Sequence, residues 1–326
     1  TFYLILTNAA TSLLGFAFWI IVARFYPPED VGLASALIAA VALLAGFTHL
    51  GLDVALVRFL SHSGKDANLL INTVFTIVTF AAIVGAAIFI VGLDFWSPAL
   101  LFVRQNPIYL AAFVLFTIAF NASHLQDRTF IADRRAGYNV AKSTIFGLLK
   151  LPLPILLAAS FHSFGIFASW GISLVVVVLL SMFVLLPRVR PDYRPCFTIS
   201  KKVVNDILRF SFVNYIADFF LSASASILPI MVLNLLGAES TAYFYIAWSI
   251  GSASAMVAGA VSTSLFAEGS NDEERLGLNI WRSLRLIFLT LVPVVILILA
   301  IAPQLLLLFG GTYSESGATL LRLVAI

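Results

Sequence analysis

The chain has 326 residues, 61% hydrophobic and only 11% charged, with a formal net charge of +3 and a mean hydropathy of +1.04. Soluble domains run nearer roughly 45–50% apolar and about 25% charged, so a water-soluble globule is excluded and a bilayer is the solvent that suits this surface. A single cysteine, Cys196, excludes a disulfide framework or a cysteine metal centre within the chain, and His49, His62, His124 and His162 show no paired ligand spacing. No resident cofactor, no metal and no nucleic acid is expected.

At about 20 apolar residues per crossing, spans are expected near 2–24, 33–57, 69–93, 107–127, 139–160, 163–186, 209–236, 241–267 and 283–309, with a tenth beginning near 314. The breaks fall at Pro27-Pro28, Gly64-Lys65-Asp66, Pro98 with Pro107, Asp133-Arg134-Arg135, Pro187 to Pro195, Gly237, Asp272 to Glu274 and Gly310-Gly311. Between the fifth and sixth spans the only polar break is His162-Ser163. Apolar runs reach both Thr1 and Ile326, which predicts a piece of a longer protein. The first run has neither the basic flank nor the cleavage site of a signal peptide.

Basic residues set the expected orientation. The even-numbered connections and adjoining helix ends carry Arg58, Lys65, Arg128, Arg134, Arg135, Arg188, Arg190, Arg194, Lys201, Lys202, Arg209, Arg275, Arg282 and Arg285. The odd-numbered ones carry only Arg24 and Arg104. That asymmetry predicts a multi-pass protein of the cytoplasmic (inner) membrane with a cytoplasmic amino terminus. Within the longest connection, Ser200 is placed to cap a short helix on which Val203, Val204, Ile207 and Leu208 share a face. It reads as an amphipathic helix lying in the membrane interface, or else as a solvated basic loop.

A shift of 210 positions lays Arg24-Phe-Tyr-Pro-Pro-Glu29-Asp30 over Asn234-Leu-Leu-Gly-Ala-Glu239-Ser240, and Gly32 over Ala242. The expected architecture is therefore an all-α polytopic bundle of two lobes built from repeated six-helix halves, the second truncated. Residues 1–187 form the N-terminal lobe, 188–208 the basic connector, and 209–326 an incomplete C-terminal lobe holding helices seven to nine and the start of ten. Transporters often place their binding site between such repeats.

Two stretches, Ala23-Arg-Phe-Tyr-Pro-Pro-Glu-Asp-Val-Gly-Leu-Ala-Ser-Ala-Leu-Ile and Thr48-His-Leu-Gly-Leu-Asp-Val-Ala-Leu-Val-Arg-Phe-Leu, resemble the opening of the polysaccharide-biosynthesis flippases. These belong to the multidrug/oligosaccharidyl-lipid/polysaccharide (MOP) exporter superfamily. The segment Leu308-Phe-Gly-Gly-Thr-Tyr-Ser-Glu-Ser-Gly-Ala-Thr-Leu-Leu resembles that family's approach to its tenth helix. The resemblance implies two lobes around a central cavity and outward movement of lipid-linked glycans of the undecaprenyl-pyrophosphate type by alternating access. It implies no enzymatic activity and a coupling ion, H⁺ or Na⁺. The implied partners are membrane lipids, the glycan substrate, and the polymerase and glycosyltransferases of such a pathway; a monomer is expected.

Charges inside spans usually face a cavity or a partner. Lys150 falls near the middle of span five, with Lys142 eight residues earlier and about 80° around the helix. Both are candidates to line one cavity and hold a pyrophosphate; alternatively Lys150 pairs with Asp218 and Lys142 sits at the cytoplasmic helix end. Arg24, closing span one, either meets the pyrophosphate in an outward-facing state or anchors its helix. Arg58, Arg128 and Arg209, at inner helix ends, read as positive-inside anchors, or else as ligands. Asp218, with Asn214 one turn before it, is a candidate for a coupling ion or a counter-charge. His49 with Asp53, and Asn121 with His124, share helix faces and are candidates for relay groups or for helix–helix hydrogen bonds. Asn121-Ala-Ser123 matches a glycosylation sequon at a depth that excludes it as an acceptor. Pro152 and Pro154 should break span five, Pro229 is a candidate to do the same in span seven, and Gly251, Ala255 and Gly259 suit close packing in span eight. A cation-coupled drug antiporter of the same superfamily would favour acidic cavity residues, with Asp218 its best feature. A membrane glycosyltransferase would rest on Glu29-Asp30, although that pair equally suits the start of a helix.

Overall fold

The computed structural model describes residues 2–61, 63–269 and 276–325; the side chains of 2–5, 65, 158–160, 208–209, 212–214, 217–218, 221–222, 224, 253–269, 276–284, 286–287 and 290 lie outside the description. The described chain is helical throughout: α1 (Phe2–Phe25), α2 (Pro28–Thr48), α3 (Leu52–Leu60), α4 (Ala67–Val91), the short α5 (Leu93–Trp96) and α6 (Phe102–Gln105), α7 (Pro107–Ala132), α8 (Gly137–Lys150), α9 (Leu153–Leu180), the short α10 (Leu186–Val189), α11 (Lys201–Gly269), α12 (Leu276–Leu307) and α13 (Gly311–Val324). Among the described residues, seven segments are long and apolar enough to cross a membrane. The protein is a multi-pass membrane protein.

The breaks follow backbone chemistry. Pro27 precedes α2 in an extended conformation, Pro28 opens the helix where its missing N–H is harmless, and Glu29 and Asp30 occupy the first turn. His162 adopts a positive φ of 43° inside α9, so the polar pair His162-Ser163 does divide spans five and six. Gly237, at φ 86°, divides α11 in the same way. Pro152 and Pro154 bring the expected interruption: α8 stops at Lys150 and α9 starts at Leu153. The break anticipated at Asp272 to Glu274 lies outside the described residues.

Two expectations need correction. The second span is not continuous over 33–57: it starts at Pro28 and breaks after Thr48, where Leu50 and Gly51 both take positive φ, 53° and 68°. The residues 201–208 do not form a separate interfacial helix. They are the first turns of α11, and Val203 and Ile207 are buried beside Phe59, Leu69 and Leu70. Ser200 does sit at the helix start, its Oγ 3.5 Å from the Val203 N–H.

Side-chain bonds show which connections share an end of the bundle. At one end Asp66 pairs with Lys202, Asp133 with Arg190, and Asn68 donates to the Asp192 carbonyl. At the other, Asp30 lies 3.8 Å from His162, Arg24 reaches α12, and Asn234 reaches Trp96. Even-numbered connections therefore cluster at one end and odd-numbered ones at the other, as the span order requires. Gly32 lets α2 approach the second limb of α11, since a Cβ there would fall 1.7 Å from the Ala238 carbonyl oxygen.

Candidate functional site

Helices α1, α7, α8 and α9 enclose a pocket of about 260 Å³ within the first lobe. Thr7, Asn8 and Thr11 come from α1, Ser123, His124 and Asp127 from α7, and Lys142 with Phe146 from α8; Trp170 belongs to the apolar wall. Lys142 is buried, yet its Nζ lies 2.7 Å from Asp127 Oδ1 and donates to the Ser123 carbonyl at 2.5 Å. Its charge is thus matched by a carboxylate that the sequence reading did not select.

Lys150 lies two turns further along α8, outside the pocket lining, with its Nζ 5.2 Å from the centre of the Phe18 ring and 4.9 Å from that of Phe146. Phe146 separates the two lysines: one side of its neighbourhood is the pocket, the other the Lys150 ammonium. Lys150 is buried, and no carboxylate pairs with it among the described residues. Gly15 on α1 gives the ammonium room, because a Cβ there would stand 3.9 Å from Nζ. The shared cavity expected for the two lysines is therefore replaced by a pocket at Lys142 and an aromatic seat at Lys150.

The break after Thr48 builds a second polar group beside the pocket. His49 and His124 stack with ring centres 4.6 Å apart. Asp53, buried at the start of α3, places Oδ2 3.2 Å from Arg128 Nε and 3.9 Å from His124 Nδ1. His49 and Asp53 do not share a face of one helix, since the break lies between them; they converge because α3 turns Asp53 toward α7. Asn121 has a packing role: Thr48 donates to its Oδ1 at 2.9 Å and its Nδ2 donates to the Thr117 carbonyl. The side chains of Asn214 and Asp218 lie outside the described residues.

Sequence reasoning missed Asp127 and read Arg128 as an anchor. Asp127 and Lys142 flank the Asp133–Arg135 turn, so antiparallel packing of α7 and α8 brings them level; opposite charges facing across a hairpin were the available signal. Arg128 differs because α3 reorients Asp53 toward it.

Arg24 binds neither pocket. Its guanidinium donates at 2.9 Å to the Leu308 carbonyl through Nε and at 2.9 Å to Leu307 through Nη2, closing the carbonyl end of α12. Asn234, its counterpart after the shift of 210, donates to the Trp96 carbonyl at 2.6 Å and accepts from Ser97 Oγ at 3.2 Å. Adding 210 to Trp96 and Ser97 gives Leu306 and Leu307, so the two bridges are near equivalents under the internal repeat. Each lobe holds the end of the third helix of the other.

Two sets of apolar helices, bridged at one end and with a charged pocket among the first set, give a multi-pass membrane protein with the fold of the transporters named below. The chain belongs to the polysaccharide biosynthesis protein family, whose model matches residues 1–266. Its fold is similar to that of a multidrug resistance MATE family transporter of the MOP superfamily. In the inward-facing conformation the TM-score is 0.66 at 18% identity, over 97% of this chain and 77% of that one. In the outward-facing conformation it is 0.61 at 18% identity, over 98% and 76%. A MOP superfamily transporter from Pyrococcus furiosus, described as having a binding pocket of reverse polarity that suggests a different function, matches with a TM-score of 0.56 at 17% identity, over 98% and 76%. No curated protein sequence matches significantly.

Proposed function

We propose that this transporter is a flippase for lipid-linked oligosaccharides of the undecaprenyl-pyrophosphate type, working by alternating access in the cytoplasmic membrane with its amino terminus inside. The observation that carries this reading is Lys150. Two ring contacts contribute roughly 0.5–2 kcal/mol each, whereas removing an ammonium from water costs several kcal/mol. Two faces of Phe are a poor replacement for a counter-ion, and an anionic group reaching Lys150 would supply the partner that no carboxylate among the described residues gives it. The chain's membership of a polysaccharide biosynthesis family supports a glycan carrier with a pyrophosphate as that anion.

The likeness to multidrug transporters raises the antiporter reading, and two carboxylates favour it: Asp127 in the pocket and Asp53 beside it. Both already face cations, Lys142 and Arg128, so neither is left to bind an organic cation. Among the described residues the buried charge with least compensation is the Lys150 ammonium, which favours an anionic substrate over a cationic one. The proposed coupling ion is H⁺ or Na⁺.

Lys150→Ala in the full chain tests the reading in cells that depend on it for surface glycan. Loss of export with accumulation of lipid-linked precursor at unchanged protein level is expected, with Lys150→Arg retaining partial export. Normal export in Lys150→Ala would overturn it.

A further inference from the structure

Among the described side chains of the pocket and the polar group beside it the charges cancel, with Lys150 on the far side of Phe146. Lys142 and Arg128 supply two positive charges, Asp127 and Asp53 two negative ones, each matched across a short contact. An anion entering such a pocket meets no net attraction until one more positive charge arrives. The groups placed to supply it are the stacked rings of His49 and His124, whose second ring nitrogens can take a proton that an entering anion would balance. Nε2 of His49 and Nδ1 of His124 are buried and make no hydrogen bond among the described residues. His124 forms part of the pocket wall, while His49 lies behind it.

We infer that the His49–His124 pair takes up a proton together with an anionic ligand, so that the pocket becomes net cationic only when it is protonated. The inference rests on the anionic-substrate reading above and adds to it a second, proton-linked anion position, with Phe146 between it and Lys150.

The surroundings suit the exchange. From α3 the pair faces Asp53; from α7, Asp127 and Arg128; from α8, Lys142; Tyr215 of α11 lies beside Gly51 at the same break. Asp53 Oδ2 is shared unequally between Arg128 at 3.2 Å and His124 at 3.9 Å. A protonated His124 competes for that oxygen and loosens Arg128. The proton thereby gains a counter-ion, and a guanidinium becomes available beside the pocket. By linkage, whatever factor the proton adds to anion affinity, the anion adds to proton affinity.

The test uses the purified full chain and P1,P2-dimethyl pyrophosphate, a diester whose charge does not change between about pH 5 and about pH 8 and which mimics the linkage of a lipid pyrophosphate. Wild type should bind it about tenfold more tightly at about pH 5.5 than at about pH 8. Binding at the lower pH in a weakly buffered solution containing an indicator should remove about one proton per ligand bound. His124→Gln should bind at both pH values with the weaker affinity of wild type at high pH, and His49→Gln should flatten the pH dependence without lining the pocket. Equal wild-type affinities at the two pH values, binding without proton uptake, or no binding at either pH would each overturn the inference. So would a pH dependence that survives the double His49→Gln/His124→Gln variant. The flippase reading stands or falls separately, on export by Lys150→Ala.

Discussion

Arg24 and Leu308 are 284 positions apart in the chain, yet the Arg24 Nε donates to the Leu308 carbonyl oxygen at 2.9 Å, joining the end of the first helix to the end of α12. Nη2 on Leu307 completes a fork that Lys does not reproduce. Hydrogen bonds to a charged group contribute about 1.5–3 kcal/mol when sheltered, and less here because the site is exposed. Arg24→Ala should therefore shift the two lobes toward a state separated at the odd-numbered connections. Spin labels at the exposed positions Phe25 and Leu235 should report longer distances in Arg24→Ala, and longer still in Arg24→Ala/Asn234→Ala, with Arg24→Lys intermediate. An unchanged distance distribution in the double variant would show that the bridges do not hold this end together.

Gly32 makes a sharper demand at the same end. Its missing Cβ would lie 1.7 Å from the Ala238 carbonyl oxygen and 3.1 Å from the amide nitrogen of Ala242, and both are backbone atoms that a rotamer change cannot move. Gly32→Val should keep α2 helical while preventing this approach, with export reduced about tenfold or more if the closed end forms part of the cycle. Export assays at matched protein level, beside Gly311→Ala as a control at a glycine with open space around it and no positive φ, test this. Normal export in Gly32→Val would mean that the close packing is dispensable.

Much of this architecture was readable because the bilayer forces each break to announce itself in backbone chemistry. Pro27-Pro28, His162 and Gly237 all stand where a helix stops, and the even–odd alternation of the connections appears as bonds such as Asp66–Lys202 and Arg24–Leu308. The break at His49 to Gly51 was not read, because polar residues such as His49 and Asp53 also occur inside transporter spans and a lone glycine inside a span is commonplace. That one miss had consequences. With α3 drawn as part of α2, Asp53 appeared to face His49 along a helix, and its actual partner, Arg128, was read as an anchor. The two lysines of α8 were expected to share one cavity, but their surroundings are set by Asp127 of α7 and Phe18 of α1, which periodicity within α8 does not reveal.

Lys142 and Asp127 form a pair whose halves are unequal to lose. Removing one partner of a buried ion pair costs about 3–5 kcal/mol, whereas removing both together is often close to neutral. Asp127→Asn should leave the buried ammonium with only the Ser123 carbonyl and lower the midpoint of thermal unfolding in detergent. Asp127→Asn with Lys142→Gln should recover most of that loss. A double variant as unstable as Asp127→Asn alone would show that the carboxylate stabilises the lobe by some route other than Lys142.

Gly51 carries the break on which the histidine group depends. Its φ of 68° is a conformation that a residue with a Cβ adopts at a penalty of roughly 1–2 kcal/mol. The added atom would also fall 2.1 Å from the Ser211 carbonyl oxygen and 3.1 Å from the Tyr215 amide nitrogen, against the backbone of α11. Gly51→Ala must therefore either displace α11 or straighten the α2–α3 junction, and straightening carries Asp53 away from Arg128. The first response should lower the unfolding midpoint with the imidazole pair unchanged. The second should unstack His49 from His124, which ¹⁵N imidazole spectra of the labelled protein would report as two independent rings. A Gly51→Ala protein with wild-type stability and wild-type histidine spectra would mean that the junction tolerates a Cβ and that the left-handed turn is not what brings Asp53 to Arg128.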